Sequence, residues 1–192
     1  AGYYLTILSA DVTSASAVEI SKNLHFNGST SAKITLTNAG GDGIRVNASA
    51  TVTIENITVT SSTLRSVIRN YGVMTLTNAT ISITSNTSDC YTIINHKTLT
   101  VNGGVIKSEV GTALFNGSLG TNETAAATIN SGANVNAPTA ISASNSGHTV
   151  TINSGTITGS ISYGAGKIVL GYDSANKIKI GSAIFVTALP VY

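Results

Sequence analysis

Short segments in which apolar and polar residues alternate recur along almost the whole chain. In the clearest copy, residues 149–159, Val150 and Ile152 flank Thr151. Five other segments place apolar residues on both sides of a threonine in the same way. The threonines that align these segments, here called the anchors, are Thr35, Thr53, Thr75, Thr100, Thr128 and Thr151. Alternation with a period of two predicts strands whose aliphatic side chains face a core while the threonines face solvent.

The spacing of the anchors identifies the repeat. Successive anchors lie 18, 22, 25, 28 and 23 residues apart, a loose period that is typical of a solenoid. Each repeat also contains a second short strand, such as residues 156–158, and a third, such as residues 140–142. We therefore predict an all-β fold, a parallel β-helix of about eight coils with three short strands per coil.

The repeats follow one another without a linker, so one domain is predicted over residues 1–192. Residues 1–32 are expected to form an N-terminal coil or cap, residues 33–170 the regular coils, and residues 171–192 the terminal strands. Residues 117–125 are expected to form an excursion loop. Because the chain begins with Ala1 rather than Met, we expect that a leader was removed from a longer precursor, although trimming would look the same.

Two columns of side chains are predicted to run along the axis inside the solenoid. The first is aliphatic and contains Ile54, Leu76, Val101, Ile129 and Ile152. In the second, Asn70, Asn95 and Asn116 each end a third strand. Stacked asparagines at that position are predicted to bond to one another as an amide ladder.

Composition and charge narrow the possible functions. The chain is 42% apolar and 9% charged, which is too apolar for a disordered protein. Its net charge of +2 is thinly spread, so no nucleic-acid partner is predicted. No apolar run is long enough to span a membrane. The single cysteine, Cys90, is expected to be a small core side chain.

The repeat unit at residues 149–159 and the opening segment at residues 19–28 resemble a known family. They are similar to the repeats of right-handed, pectate-lyase-like β-helix domains of bacterial cell-surface and secreted proteins, and the likeness covers roughly residues 1–170. It implies a right-handed solenoid outside the cell. Such domains include adhesins, carbohydrate-binding modules, polysaccharide lyases and stalks, so the likeness specifies the fold better than the activity.

The family's enzymes imply carboxylate arrangements that this sequence lacks. Its galacturonan hydrolases resemble one another in an aspartate pair with a third aspartate nearby, and no adjacent acidic pair occurs here. Its calcium-dependent lyases need clustered acidic ligands. We therefore predict no enzymatic activity and no cofactor. A degenerate polysaccharide lyase is the third alternative for function, after a structural or adhesive role and carbohydrate binding.

The spacing of three charged residues is compatible with a binding site. Asp42, Arg65 and Asp89 are 23 and 24 residues apart, which predicts one column on successive coils. Asp42 and Asp89 are thus weak candidates for a metal or uronate site. The other reading is a surface charge ladder, and we favour it because Arg65 between the two acids would neutralise a calcium site.

The lateral faces of the predicted solenoid offer two further candidate binding surfaces. Tyr71, Tyr91 and Tyr163 are candidates for stacking on sugar rings, although scattered solenoid aromatics are more often partly buried fillers. The threonine column would form a flat outward array of the kind that ice-binding solenoids use. The residues two positions after these threonines are of mixed types, too irregular to match a lattice. The ordinary preference of threonine for β-strands therefore explains the column better.

Neither end of the chain has a recognisable capping helix, and both ends are apolar. Open ends of parallel solenoids pair with other chains. The residues predicted to mediate assembly are Tyr3, Tyr4, Leu5, Ile184, Phe185, Val186, Leu189, Val191 and Tyr192. We expect a non-enzymatic extracellular structural or adhesive protein whose main partner is itself, assembled end to end into a fibre. The alternative is a carbohydrate-binding module with a polysaccharide partner.

Overall fold

The computed structural model describes residues 4–28, 32–85, 87–117, 124–143, 146–171 and 178–180, and the backbone of 184–186. These residues form twenty β-strands and no helix, and all strand pairings among them are parallel. The fold is a right-handed parallel β-helix of about 7 turns with three strands per turn. No helix long and apolar enough to cross a membrane occurs in this part of the chain.

The strands stack in three parallel faces, each with eight strands among the described residues. Face A contains β1 (Tyr4–Leu8), β4 (Leu24–Gly28), β7 (Thr51–Glu55), the first halves of β10 (Val73–Ile83) and β12 (Thr98–Ser108), β14 (Ala126–Ile129), β16 (Thr149–Ile152) and β18 (Lys167–Leu170). Face B contains β2 (Val12–Ser14), β5 (Lys33–Leu36), β8 (Thr58–Ser61), the second halves of β10 and β12, the first halves of β15 (Ala133–Ala143) and β17 (Gly155–Tyr163), and β19 (Ile178–Ile180). Face C contains β3 (Val18–Ile20), β6 (Asp42–Val46), β9 (Ser66–Asn70), β11 (Tyr91–Asn95), β13 (Thr112–Asn116), the second halves of β15 and β17, and β20 (Ile184–Val186).

The corner between faces A and B is built by residues with left-handed backbone. Asn78 and Gly103 lie at this corner, and β10 and β12 run through these positions without a break. The φ angles are 54° at Asn56, 49° at Asn78 and 85° at Gly103. Asparagine and glycine adopt this conformation more readily than other residues. The chain therefore bends at the corner while its hydrogen-bonding ladder continues.

The predicted aliphatic column forms the core behind face A. Leu76 pairs with Ile54 on one side and Val101 on the other, and the column continues through Ile129 to Ile152. All five side chains are 2% exposed or less, which confirms the predicted register. A fully buried aliphatic side chain contributes about 1.5–3 kcal/mol by leaving water. Cys90 also lies in the core, as predicted.

The prediction that Thr35 belongs to the anchor column is wrong. Thr35 lies on face B, where it pairs with Thr60, and the residue next to Thr53 on face A is His25. The segment around Thr35 alternates in the same way as an anchor segment, so its own pattern does not distinguish the two faces. The other five anchors do stack in register, from Thr53 to Thr151.

The predicted asparagine ladder is present at the end of face C. The amide of Asn70 donates to Oδ1 of Asn95 at 2.7 Å, and the amide of Asn95 donates to Oδ1 of Asn116 at 2.7 Å. All three side chains are buried. Each amide also donates to a backbone carbonyl of a following coil, those of Thr98, Ala126 and Thr149 respectively. The ladder thus satisfies buried polar groups by bonding along the axis.

His148 satisfies a buried backbone donor at the same corner of the solenoid. Its Nδ1 accepts a hydrogen bond from the backbone N–H of Ala125 at 2.8 Å, and the residue is only 1% exposed. Burial lowers the pKa of His148 below its ordinary value of 6.5, because the charged imidazolium is poorly solvated there. The structure therefore requires the neutral ring.

Replacing Leu76 by Asp should unfold the domain. The new carboxylate would lie in the core between Ile54 and Val101, and an unpaired buried charge costs several kcal/mol. Thr75→Asp is the matched control, since this neighbouring side chain faces outward. Thermal melts followed by circular dichroism compare the two variants. Equal melting temperatures for Leu76→Asp and the parent protein would show that the register is wrong.

Acid should destabilise the protein through His148. The folded-state pKa is lower than the unfolded-state pKa, so the unfolded chain binds more protons as the pH falls below about 6.5. The stabilisation is complete above that pH and is lost progressively below it. His148→Asn keeps a hydrogen-bond acceptor but cannot titrate. The free energy of unfolding, measured from pH 7.5 to 5 in steps, should fall less steeply in this variant; identical slopes would contradict the assignment.

Candidate functional site

The acidic and basic side chains predicted to form one column belong to two separate ion pairs. Asp42 is in register with Ser66 and Tyr91, and not with Arg65 or Asp89. The carboxylate of Asp42 lies 3.1 Å from Nε of Arg69 and accepts a hydrogen bond from the hydroxyl of Ser66 at 2.5 Å. The single-column prediction is therefore wrong, because equal spacing in sequence does not fix the register when turn lengths differ.

Arg65 and Asp89 form the second pair, on the turns that lead from face B to face C. Nη2 of Arg65 lies 4.0 Å from Oδ2 of Asp89, and both side chains are exposed. The hydroxyl of Tyr91 donates to Oδ1 of Asp89 at 3.3 Å. Burial, the negative charge of Asp89 and this hydrogen bond together raise the pKa of Tyr91, although Arg65 opposes the shift. The Tyr91 hydroxyl is thus held in its protonated form as a donor.

These turns surround an open, polar lateral cavity. Its volume is about 590 Å³, and it spans the turns of three successive coils. The polar residues that line it are Ser62, Thr63, Arg65, Ser85, Thr87 and Asp89. The hydroxyls of Ser85 and Thr87 lie 3.1 Å apart. The cavity therefore presents hydroxyls together with one cation and one carboxylate, beside Tyr91.

The three candidate tyrosines lie in different environments. Tyr71 is covered on one side by the ring of His96, with centroids 4.4 Å apart, and on the other by the guanidinium of Arg45 at 4.8 Å. Tyr163 packs against the core. Tyr91 meets the ring of Phe115 edge to face at 5.4 Å. The structure therefore does not bring the three together, and Tyr91 alone lies beside the lateral cavity.

The N-terminal end of the solenoid is the second candidate surface. Of the eight large apolar side chains that are exposed among the described residues, five lie in the first coil. Three of them lie on inward columns, one on each face: Tyr4 is 60% exposed, Val12 43% and Val18 39%. In the coils between the first and the last, a neighbouring coil covers these columns on both sides. At this end the columns lie open to solvent.

An apolar cavity of about 260 Å³ lies behind this surface, inside the first three coils. The side chains around it include Val12, Val18, Leu24, Phe26 and Ile44. Since Val12 and Val18 both line the cavity and are exposed, the cavity opens at the end of the rod. This end cavity was not foreseen, because the sequence alone does not show how well three coils fill their interior.

The predicted assembly residues are only partly within the described structure. Tyr4 and Leu5 lie on the first strand of face A and are exposed. Residues 184–186 form β20, the last strand of face C. Tyr3, Leu189, Val191 and Tyr192 lie outside the described residues.

The acidic side chains in the described part of the chain are all engaged by other groups. Besides the pairs formed by Asp42 and Asp89, Glu55 lies 2.9 Å from Nε2 of His25, and Glu109 lies 3.4 Å from the ammonium of Lys107. Asp11 and Glu19 accept hydrogen bonds from the backbone N–H of Lys33 and the amide of Asn47 respectively. Within the same residues, no three His, Cys, Asp or Glu side chains are grouped to hold a metal ion.

Sequence reasoning paired Asp42 with neither Ser66 nor Arg69, its two partners in the structure. Aligning the third strands by their buried residues Ile44 and Ile68, rather than by equal spacing, would have placed Asp42 opposite Ser66. No protein-family model, curated protein or solved structure matches this chain. Its function is therefore inferred from its own residues.

Proposed function

We propose that this protein is a non-enzymatic structural or adhesive rod that acts outside the cell, and that its copies associate end to end. The exposed apolar first coil carries this proposal. Among the described residues, the three strands of this coil pair only with strands of the second coil, and a sheet edge is a template for pairing with another chain. The likeness to pectate-lyase-like domains of bacterial surface proteins supports the extracellular setting.

A second copy offers a complementary end. Leu170 lies on the inward column of face A in the last coil and is 54% exposed. Both ends of the rod thus expose core positions, and the strands of both ends run in the same direction. Stacking the last coil of one copy on the first coil of the next would continue the three ladders. Contacts between two different surfaces generate open filaments unless they close into a ring.

The close ion pairs of Asp42 and Glu55 support a role without catalysis. General acid–base chemistry needs a carboxyl group that is free to reach a substrate. The largely buried Asp42 is held by Arg69 and Ser66, and Glu55 by His25. The exposed Lys107–Glu109 pair forms part of the lateral surface of the rod, where such a pair contributes about 0.2–1 kcal/mol.

End-to-end association should depend on apolar contact at the first coil. Placing charges there with Val12→Asp and Val18→Asp together should weaken self-association about tenfold or more, equivalent to ~1.4 kcal/mol, because unpaired charges would be buried. Sedimentation velocity at increasing protein concentration measures the effect. The matched control is Val73→Asp with Val110→Asp, since these lateral valines are 36% and 39% exposed. A parent protein that stays monomeric throughout would overturn the proposal.

The lateral cavity supports carbohydrate binding as the second candidate function. Its volume lies in the range of pockets that hold small ligands, roughly 300–1,000 Å³. Hydroxyls, an exposed Arg65–Asp89 pair and the donor Tyr91 can bond to a sugar's hydroxyl groups. An exposed ion pair contributes little free energy. Its charged groups can therefore separate and bind a ligand at a small cost in free energy.

Glycan binding should therefore require Arg65. We expect Arg65→Ala to lower the affinity for any glycan identified on an array by about tenfold, measured by calorimetry, because a charge-assisted hydrogen bond contributes ~1.5–3 kcal/mol. Lys107→Ala is the control, since the side chain of Lys107 is 46% exposed against 48% for Arg65 and also pairs with an acid. Equal losses of glycan affinity in both variants, or the absence of any glycan ligand, would contradict carbohydrate binding at the lateral cavity.

A further inference from the structure

The end cavity has the chemistry of a site for an aliphatic peptide segment. It is lined almost entirely by aliphatic side chains and Phe26, with Ser14 the one polar residue among those that line it. Its volume of about 260 Å³ corresponds to roughly nine water volumes at ~30 Å³ each. That is room for two aliphatic side chains of the size of leucine and valine. A charged or strongly polar ligand would leave its own groups unpaired there.

The C-terminal segment of the same sequence has the matching composition. Residues 183–192 contain no charged side chain. In an extended segment alternate side chains point to the same side, so Leu189 and Val191 would lie together. Pro190, which has no backbone N–H, would lie between them on the opposite side, as suits a segment at a sheet edge.

A chain cannot place this segment in its own end cavity. β20 is the last strand of face C, whereas the cavity lies within the first three coils. Seven steps of ~4.8 Å separate the first and last strands of a face, about 34 Å in all. The six residues that follow Val186 extend over at most about 20 Å. If this segment fills an end cavity, it is therefore the cavity of another copy.

We propose that the segment formed by residues 187–192 of one copy enters the end cavity of the next copy, with Leu189 and Val191 as the buried side chains. This inference rests on the proposed end-to-end association and identifies the segment that makes the contact. The open inward columns at Val12 and Val18 form the entrance. Contact through an inserted segment adds an apolar anchor to the pairing of strand edges.

Disulfide trapping between two full-length variants tests the contact directly. One variant carries Leu189→Cys and the other Val12→Cys, and Cys90 is too buried to react. After mixing under mild oxidation, the proposed contact brings the two cysteines within disulfide distance. We expect a disulfide-linked heterodimer on non-reducing gels. Two controls pair Leu189→Cys with the lateral Val73→Cys, and Val12→Cys with Ala188→Cys, which lies on the opposite side of the segment; both should give background levels only.

The outcomes separate this inference from the proposed function. If the parent protein associates in sedimentation but the Leu189–Val12 heterodimer does not form, the rods stack without the inserted segment and the inference is wrong. Equal trapping in the controls would show non-specific contact and overturn it as well. If the protein neither associates nor cross-links, the segment caps its own last coil or binds another partner, and both proposals fail.

Discussion

Stacking of equivalent residues at the spacing of parallel strands is the constraint on which this structure depends. Each coil can bury its apolar side chains only against the coils on either side, as Leu76 does between Ile54 and Val101. A shift of one residue would turn an entire strand inside out. The turns absorb the variation in repeat length, so the strands keep their register while the stacked anchors from Thr53 to Thr151 lie 22 to 28 residues apart. The left-handed corner residues Asn56, Asn78 and Gly103 serve the same purpose.

The same constraint determines how polar groups are buried. A polar side chain inside a solenoid can be satisfied by bonding to a polar side chain of its own kind on an adjacent coil. Asn95 donates to Asn116 and accepts from Asn70, and the three side chains remain fully buried. His148 satisfies a backbone group of the preceding coil instead, which ties the stability of that corner to the protonation of one ring. Bonding along the axis thus takes the place of bonding to water.

Stacking also explains why the ends and the sides of the rod have different chemistry. On the sides, threonines and ion pairs face the solvent, and a lateral cavity is lined mainly by polar residues. At the N-terminal end, no described coil lies beneath the inward columns, and Tyr4, Val12 and Val18 are exposed. This contrast favours association through the ends and leaves the sides free for a soluble ligand such as a glycan. The two proposed functions therefore use separate surfaces and are compatible in one molecule.

The sequence by itself determined the class of fold, because period-two alternation and a loose repeat are local properties that can be counted. It also determined the core column from Ile54 to Ile152, the asparagine ladder and the burial of Cys90, since each depends on a residue's place within its own strand. Only the tertiary structure decided which residues meet between coils. It placed His25 rather than Thr35 beside Thr53, gave Asp42 the partners Arg69 and Ser66, and opened a cavity at the end of the rod. These features depend on turn lengths and on packing across the whole cross-section, and neither follows from the spacing of residues along the chain.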